Sequence, residues 1–315
     1  MKITRGLEAH SRSPYPVLTI GNFDGQHRGH QTLLQTVVKT AADAGGTPMV
    51  LTFDPHPITV LKPGIDLRLL TSPEEKLARF QEAGIEEVLF LTFNAALAAL
   101  APEEFVSRVL GEGIGVKELF VGQHFAFGKG RAGRMDDLLR LGPSAGFRVH
   151  AVSPTVVDGE VVSSTRIRHL VQSGDLRAAA RCLGRPYGFH GTVVAGAQRG
   201  QALGWPTANL RLPQGRVSPP DGVYATIALW QGNKLASASY IGTRPTFDAG
   251  ERLLEVHLLD RQIQLYGQEI RVEFIERIRG DLRFDTAENL SARIELDVRL
   301  AREALASLPQ PMAQA

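Results

Sequence analysis

The sequence predicts two folded units in series: an α/β unit built on a parallel sheet, then a small antiparallel β-barrel followed by one long C-terminal helix. Three observations carry that expectation. A chain of 315 residues exceeds the usual range of a single hydrophobic core. As far as residue 184, short apolar runs alternate with stretches of helical period, the pattern of a parallel sheet covered on both faces. From Tyr187 onward, β-rich segments follow one another between Gly, Pro and Asp turns with no helical period among them, as in a small barrel. The expected domains are residues 1–184 and 185–308, with a frayed tail at 309–315.

Composition narrows the function classes. With 43% hydrophobic and 22% charged residues the chain reads as an ordinary globular protein. Lys and Arg total 35 against 33 Asp and Glu, which argues against nucleic acid as a dominant partner. Cys182 is the only cysteine, so there is no internal disulfide; it reads as small core filler in an Ala-rich helix and suits a reducing compartment. Residues 1–18 lack a signal-peptide core, and no apolar run reaches membrane-spanning length. The expectation is a cytoplasmic protein with small-molecule partners, no nucleic acid and no membrane. The sequence leaves a homo-oligomer open.

The elements follow in order. Val17 to Ile20 is a short buried strand, and Gln31 to Ala44 carries Leu33, Leu34, Val37, Val38 and Ala41 at helical spacing before Gly45-Gly46 closes it. Pro48 to Phe53 makes a second strand ending in Asp54-Pro55-His56-Pro57. Ser72-Pro73-Glu74-Glu75 is a capping box opening a helix through Ala83. Glu87 to Phe93, Glu118 to Gly122 and Arg148 to Val152 supply three more strands, with helices over Pro102 to Leu110 and Met135 to Leu141. Later helices open near Ser163 and over Asp175 to Leu183, before a boundary at Gly184-Arg185-Pro186. In the second part the β segments are Phe189 to Ala195, Gly222 to Trp230, Leu235 to Gly242, Leu253 to Asp260 and Glu269 to Arg277. A helix over Thr286 to Leu308 aligns Leu290, Ile294, Val298, Ala301, Leu305 and Leu308 on one face for packing on the barrel.

The loop Gly21-Asn22-Phe23-Asp24-Gly25-Gln26-His27-Arg28-Gly29-His30 joins a strand to a helix N-terminus, where unpaired N–H groups and the helix dipole suit a phosphate. Gly21, Gly25 and Gly29 carry no Cβ to hold an anion at a distance, and the spacing of His27 and His30 lets both rings face one side. On residues alone, two solvated histidines on a glycine-rich turn fit as well. The stretch resembles the H-x-G-H signature of nucleotidylyltransferases, in the form G-x-F-D-G-x-H-x-G-H of bacterial FAD synthetases. Val162-Ser163-Ser164-Thr165-Arg166-Ile167-Arg168 could be a simple helix cap, and resembles the S-S-T-x-I-R motif of the same family. The resemblance implies a Rossmann-like domain, catalytic roles for His27 and His30, and ATP contacts at Gly21, Phe23, Asp24, Gly29, Ser163, Ser164, Thr165 and Arg168. Asp54, His56 and His124 fall at the ligand edge of the sheet and are candidates for the FMN or ATP site. His124 is a departure, because the family usually carries Asp or Asn there.

The second chemical stretch runs from Gly191 to Asn209, where Gly191, Gly196, Gly200 and Gly204, with Arg199, suit a nucleotide loop or a hairpin with turn glycines. Thr207 and Asn209 share a face of an extended segment and offer hard oxygens of low charge, which suit Mg²⁺ carried by nucleotide phosphates. Gly204-Trp205-Pro206-Thr207-Ala208-Asn209, followed by Asp221-Gly222-Val223-Tyr224-Ala225, resembles the riboflavin kinase signature, with Trp205 where phenylalanine is usual. Glu255, in Glu255-Val256-His257-Leu258-Leu259-Asp260, stands at that family's base position, although its strand context equally fits a solvent-facing residue. Together the halves resemble bacterial bifunctional riboflavin kinase and FAD synthetases. That implies Mg²⁺, with ATP, riboflavin and FMN as substrates.

Overall fold

The computed structural model describes residues 1–195, 204–243, 252–261 and 263–307. The chain divides into two compact units, Met1–Ser164 and Thr165–Ala315.

The first unit is built on six strands: β1 (Lys2–Arg5), β2 (Pro16–Ile20), β3 (Thr47–Asp54), β4 (Glu87–Thr92), β5 (Glu118–Gly122) and β6 (Arg148–Val152). They form one sheet in the order β1-β4-β3-β2-β5-β6, with every pairing parallel. All five residues of β2 are buried, which suits a strand covered on both faces in mid-sheet. From β2 the chain lays β3 and β4 to one side, then returns to lay β5 and β6 on the other. The crevice at the carboxyl ends beside that reversal is where open α/β sheets receive ligands. β1 was not expected; its four residues are mostly exposed and polar, and it reads as a strand only through pairing with β4.

Helices cover both faces. α1 (Arg28–Ala44) buries Leu33, Leu34, Val37 and Ala41 against one face and stops at Gly45, whose φ of 62° completes the cap. α2 (Pro57–Leu61) is a single short turn, and α3 (Pro73–Glu82) opens with the expected Ser72/Glu75 capping box. α1 and α3 share a core with Phe23, Val50, Phe80 and Val88. α4 (Ala95–Ala99) precedes α5, in which Pro102–Glu104 runs on into a π-helical Phe105–Ile114. The α-helix expected over Pro102 to Leu110 is thus corrected in length and kind. Its buried residues Phe105, Val106, Val109, Leu110 and Ile114 recur at three to five residues, a spacing that does not by itself tell this wider turn from an α-helix. With α6 (Met135–Ser144) it packs on the opposite face through Leu119, Val121 and Leu138. A small hairpin, β7 (Val156–Val157) and β8 (Glu160–Val161), leads to α7 (Ser164–Ser173) and α8 (Leu176–Leu183).

At the amino edge, two buried glutamates begin strands and are fully engaged. Glu87 meets Lys2, His10 and Ser13. Glu118 meets Arg148, His150 and Tyr15; the Arg148 guanidinium above all holds its carboxyl down to about 2.

The second unit is a closed barrel of β9 (Tyr187–Val194), β10 (Ala208–Arg211), β11 (Gly222–Trp230), β12 (Asn233–Thr243), β13 (Arg252–Leu258) and β14 (Glu269–Gly280), in the order β10-β13-β12-β11-β14-β9. Inside it the hydroxyls of Thr226, Ser237 and Ser239 bond one another, so none is left unsatisfied. α9 (Ala287–Ala306) lays Val298 and Ala301 on Ala225, Ala238 and Leu259, with Ile294 and Leu305 alongside, as its period predicts. Leu308 lies outside the described residues. Cys182 is fully buried in α8.

Candidate active sites

The loop after β2 owes its shape to buried contacts made by residues far apart in sequence. Phe23, Gly25 and Gln26 take φ of 51°, 79° and 39°, left-handed values that only glycine adopts freely. Phe23 is nonetheless held, fully buried, against the edge of Phe80 and the ring of His30. The Asp24 carboxylate accepts from Leu70 N at 2.9 Å, Thr71 N at 3.2 Å and the Thr71 hydroxyl at 3.3 Å. Gly25 N donates to Thr71 Oγ1, and Gln26 donates to the Lys76 carbonyl. Ser164, 140 residues later, donates to the Asp24 carbonyl at 2.8 Å. Of the serine motif, Ser164 thus touches the loop. Thr165 follows exposed on the first turn of α7, with Arg168 half-buried beyond it.

His27 caps α1, accepting from the His30 N–H at Nδ1, and the two rings stack with centroids 3.7 Å apart. His30 Nδ1 and Asn22 Oδ1 are buried with no hydrogen-bond partner among the described residues. Leaving such an atom unpaired costs roughly 1–3 kcal/mol. Burial first, then the neighbouring His27 and Lys76, pushes His30 well below the ordinary histidine range, so the ring is neutral near pH 7. Lys76, on α3, was not foreseen. Its Nζ donates to the Asn22 carbonyl at 3.3 Å, and burial lowers its pKa against the pull of Asp24 and Asp54. Nothing local to its sequence marks it; only a contact across 54 positions does so.

Of the other candidates, Gly21 donates to Leu51 O as it leaves the sheet, and a Cβ on Gly29 would press on the His27 ring at 3.3 Å. Asp54 ends β3, exposed and paired with Arg5 at 3.1 Å. His56 caps α2. His124 stands exposed in the loop after β5, at the same carboxyl edge.

In the second unit the candidate residues are assembled by strand register. Glu255 on β13 lies opposite Asn209 on β10 and opposite Tyr240 on β12, so three polar side chains stand abreast on one face. Thr207 Oγ1 approaches Glu255 Oε2 at 3.5 Å, and Asn209 is buried. Glu255 itself is half-buried rather than solvent-facing. Tyr240 donates to Asp281 at 2.9 Å, and burial together with that bond raises its phenol. Arg252 braces the neighbouring turn through Asp221 at 2.5 Å and Pro219 O at 2.6 Å. Of the glycines expected in the nucleotide loop, Gly191 lies in β9 and Gly204, at φ 82°, precedes Trp205; Gly196, Gly200 and Arg199 lie outside the described residues. Among the described residues no cluster of three or more His, Cys, Asp or Glu could hold a metal. The Thr207 hydroxyl and the Asn209 amide instead fit a hard cation that arrives with a polyphosphate.

Comparison with known proteins bears on both units. A family model described as FAD synthetase matches residues 10–166, and one described as riboflavin kinase matches residues 183–305. A bifunctional riboflavin kinase/FMN adenylyltransferase of Escherichia coli (strain K12) is 39% identical over 306 residues, covering 96% of this chain and 97% of its own. A protein of the same description from Bacillus subtilis (strain 168) is 34% identical over 289 residues, 89% of this chain and 90% of that one. A crystal structure described as a macrolide-efflux protein from Streptococcus pneumoniae superposes with a TM-score of 0.87 at 29% identity, covering 96% of this chain and 99% of that one. Among the described residues no helix of this chain is long and apolar enough to cross a membrane.

Proposed function

The chain belongs to the bifunctional riboflavin kinase/FMN adenylyltransferase family, and from that premise we propose how its residues divide the two reactions. It is a transferase that phosphorylates riboflavin with ATP to FMN and then joins FMN to the adenylyl group of a second ATP, giving FAD and pyrophosphate. The domains we assign are residues 1–184 for adenylyl transfer and 185–308 for the kinase, with 309–315 a tail. We place the protein in the cytoplasm.

In the kinase half the ribityl hydroxyl is a poor nucleophile at neutral pH. Glu255 takes its proton as the oxygen attacks the γ-phosphorus and ADP departs. Thr207 and Asn209 are the residues that would hold Mg²⁺, an ion that neutralises charge on the phosphates when it binds with ATP. Gly191, Gly196, Gly200 and Gly204 are assigned to the nucleotide loop.

In the adenylyl half the attacking group is the phosphate of FMN, already an anion, so positioning and charge stabilisation suffice and no base is required. His27 and His30, at the N-terminus of α1, receive phosphate oxygens, and Lys76 adds a cation. Asp24 and Phe23 serve by fixing the loop. Ser163, Ser164, Thr165 and Arg168 are assigned to ATP, and Asp54, His56 and His124 to the nucleotide or flavin at the carboxyl edge.

The observation that carries this reading is the orphaned Nδ1 of a neutral His30 on an anion-receiving loop in one unit, matched by the Thr207–Glu255 contact in the other. Chromatography of products after mixing the protein with riboflavin and MgATP tests it. FMN that rises and then gives way to FAD is expected. FMN alone would leave the first unit a nucleotide-binding module, and neither product would sink the reading.

A further inference from the structure

We infer that His257 is a positioning residue of the kinase site: its Nδ1–H holds the Pro206 carbonyl and thereby sets Thr207 against Glu255. The inference rests on the reading that Thr207 and Glu255 serve the kinase.

The β10–β13 ladder pairs Asn209 with Glu255 and Ala208 with Val256, and β10 begins at Ala208. One step beyond, the same register would set Thr207 opposite His257, yet the ladder has ended there. Pro206, the next residue out, has no N–H with which to extend it. Left to the backbone, the strand would fray at the residue whose hydroxyl must be placed. Side chains supply what the ladder lacks. Trp205 Nε1 donates to Ser291 on α9 at 3.3 Å, and the Trp205 ring meets the edge of His257 with centroids 5.4 Å apart. His257 Nδ1 lies 2.8 Å from the Pro206 carbonyl. Thr207 then reaches Glu255 at 3.5 Å. Three successive residues are each tied at a different point, and the middle tie is the shortest.

A carbonyl oxygen only accepts, so the ring carries a proton on Nδ1 in its neutral and charged forms alike. The clamp is therefore present in both. His257 and Glu255 are two apart on one strand and share a face, so one rigid strand presents both the base and the clamp. Moving the Pro206 carbonyl would move Thr207 relative to Glu255, and shifts of about an ångström at such a site cost up to roughly 10²-fold.

The test is ADP binding by titration calorimetry with and without Mg²⁺, a measurement without turnover, run beside the kinase and adenylyl rates. Asparagine places an amide N–H close to the position of Nδ1, whereas glutamine reaches instead toward Nε2 and leucine has no donor. His257→Leu and His257→Gln should each lose roughly tenfold of the Mg²⁺-dependent gain in ADP affinity. His257→Asn should keep it, and all three should adenylylate FMN normally. If Leu proves unfoldable, the Asn and Gln pair still decides the matter: equal loss in both overturns the inference. A full Mg²⁺ gain in His257→Gln alongside a lost one in Thr207→Val overturns the inference and leaves the kinase reading standing. A full gain in Thr207→Val as well removes the reading beneath it.

Discussion

In the first unit the candidate residues sit on a loop that leaves β2 through three residues at positive φ, whereas in the second they sit on neighbouring strands whose pairing sets Asn209, Glu255 and Tyr240 abreast. The loop keeps its shape through buried contacts: Asp24 satisfies the N–H groups of Leu70 and Thr71, and Phe80 backs Phe23. In the strand site the ladder that holds the barrel also spaces Asn209, Glu255 and Tyr240, and side chains take over only where it ends, beside Thr207. A loop site can thus be broken from many distant points, and a strand site at its own atoms and at the one end where the ladder stops. The reactions fit this division. An anionic nucleophile needs many donors converging on one point, which a loop gathers; a hydroxyl nucleophile needs one carboxylate at a fixed spacing, which a strand provides.

The sharpest way to break that contrast is at the base. Glu255→Gln should lower riboflavin phosphorylation by roughly 10²- to 10⁴-fold, the range for losing a general base, while FAD formation from supplied FMN continues. A near-normal kinase rate would remove Glu255 from the mechanism. At the loop, changing His27 or His30 to Ala should slow FAD formation by roughly 10²-fold, with FMN formation intact. Because the rings stack at 3.7 Å they act on a shared charge, and the double variant should lose less than the product of the two single losses. Strict multiplicativity would mean that they work independently.

A smaller effect separates scaffold from chemistry. Asp24→Ala strips the acceptor from buried N–H groups and should cost about 1–3 kcal/mol of stability, read from denaturant midpoints. FAD formation should fall with it and the kinase should hold. Loss of FAD formation without loss of stability would show Asp24 acting on substrate directly.

Much of this was legible in the residues. The central strands, the capping box at Ser72 and the helix face of Val298 and Ala301 follow from periodicity, because burial forces the pattern. β1 was not legible, since four residues, three of them exposed, gain strand character only from the neighbour they pair with. Nor was the π-helical stretch, whose apolar spacing passes for α over so few residues. In the sites, most of the histidines and glycines announced themselves, but Lys76 and His257 did not: each bonds a backbone carbonyl, Asn22 for the lysine and Pro206 for the histidine, and a sequence does not print carbonyl positions.

The smallest effect is a pH slope. The two edges of the parallel sheet hold titrating groups shifted for different reasons, with separate windows. Glu118, held down to about 2 by Arg148, contributes stability that is complete above its unfolded value near 4.5 and lost as pH falls toward 2. His30 is pushed below 6.5 by burial, so between that value and its lower folded one the unfolded chain binds the extra proton. Stability therefore falls as pH drops below about 6.5, before the carboxylate window opens. Thermal midpoints by calorimetry from pH 7.5 to 5 should decline in the wild type and decline less in His30→Gln, which carries no proton to gain. Coincident curves would mean that His30 gains its proton as readily in the folded chain as in the unfolded one. The neutral ring assigned to the adenylyl loop would then have to be replaced by a charged one.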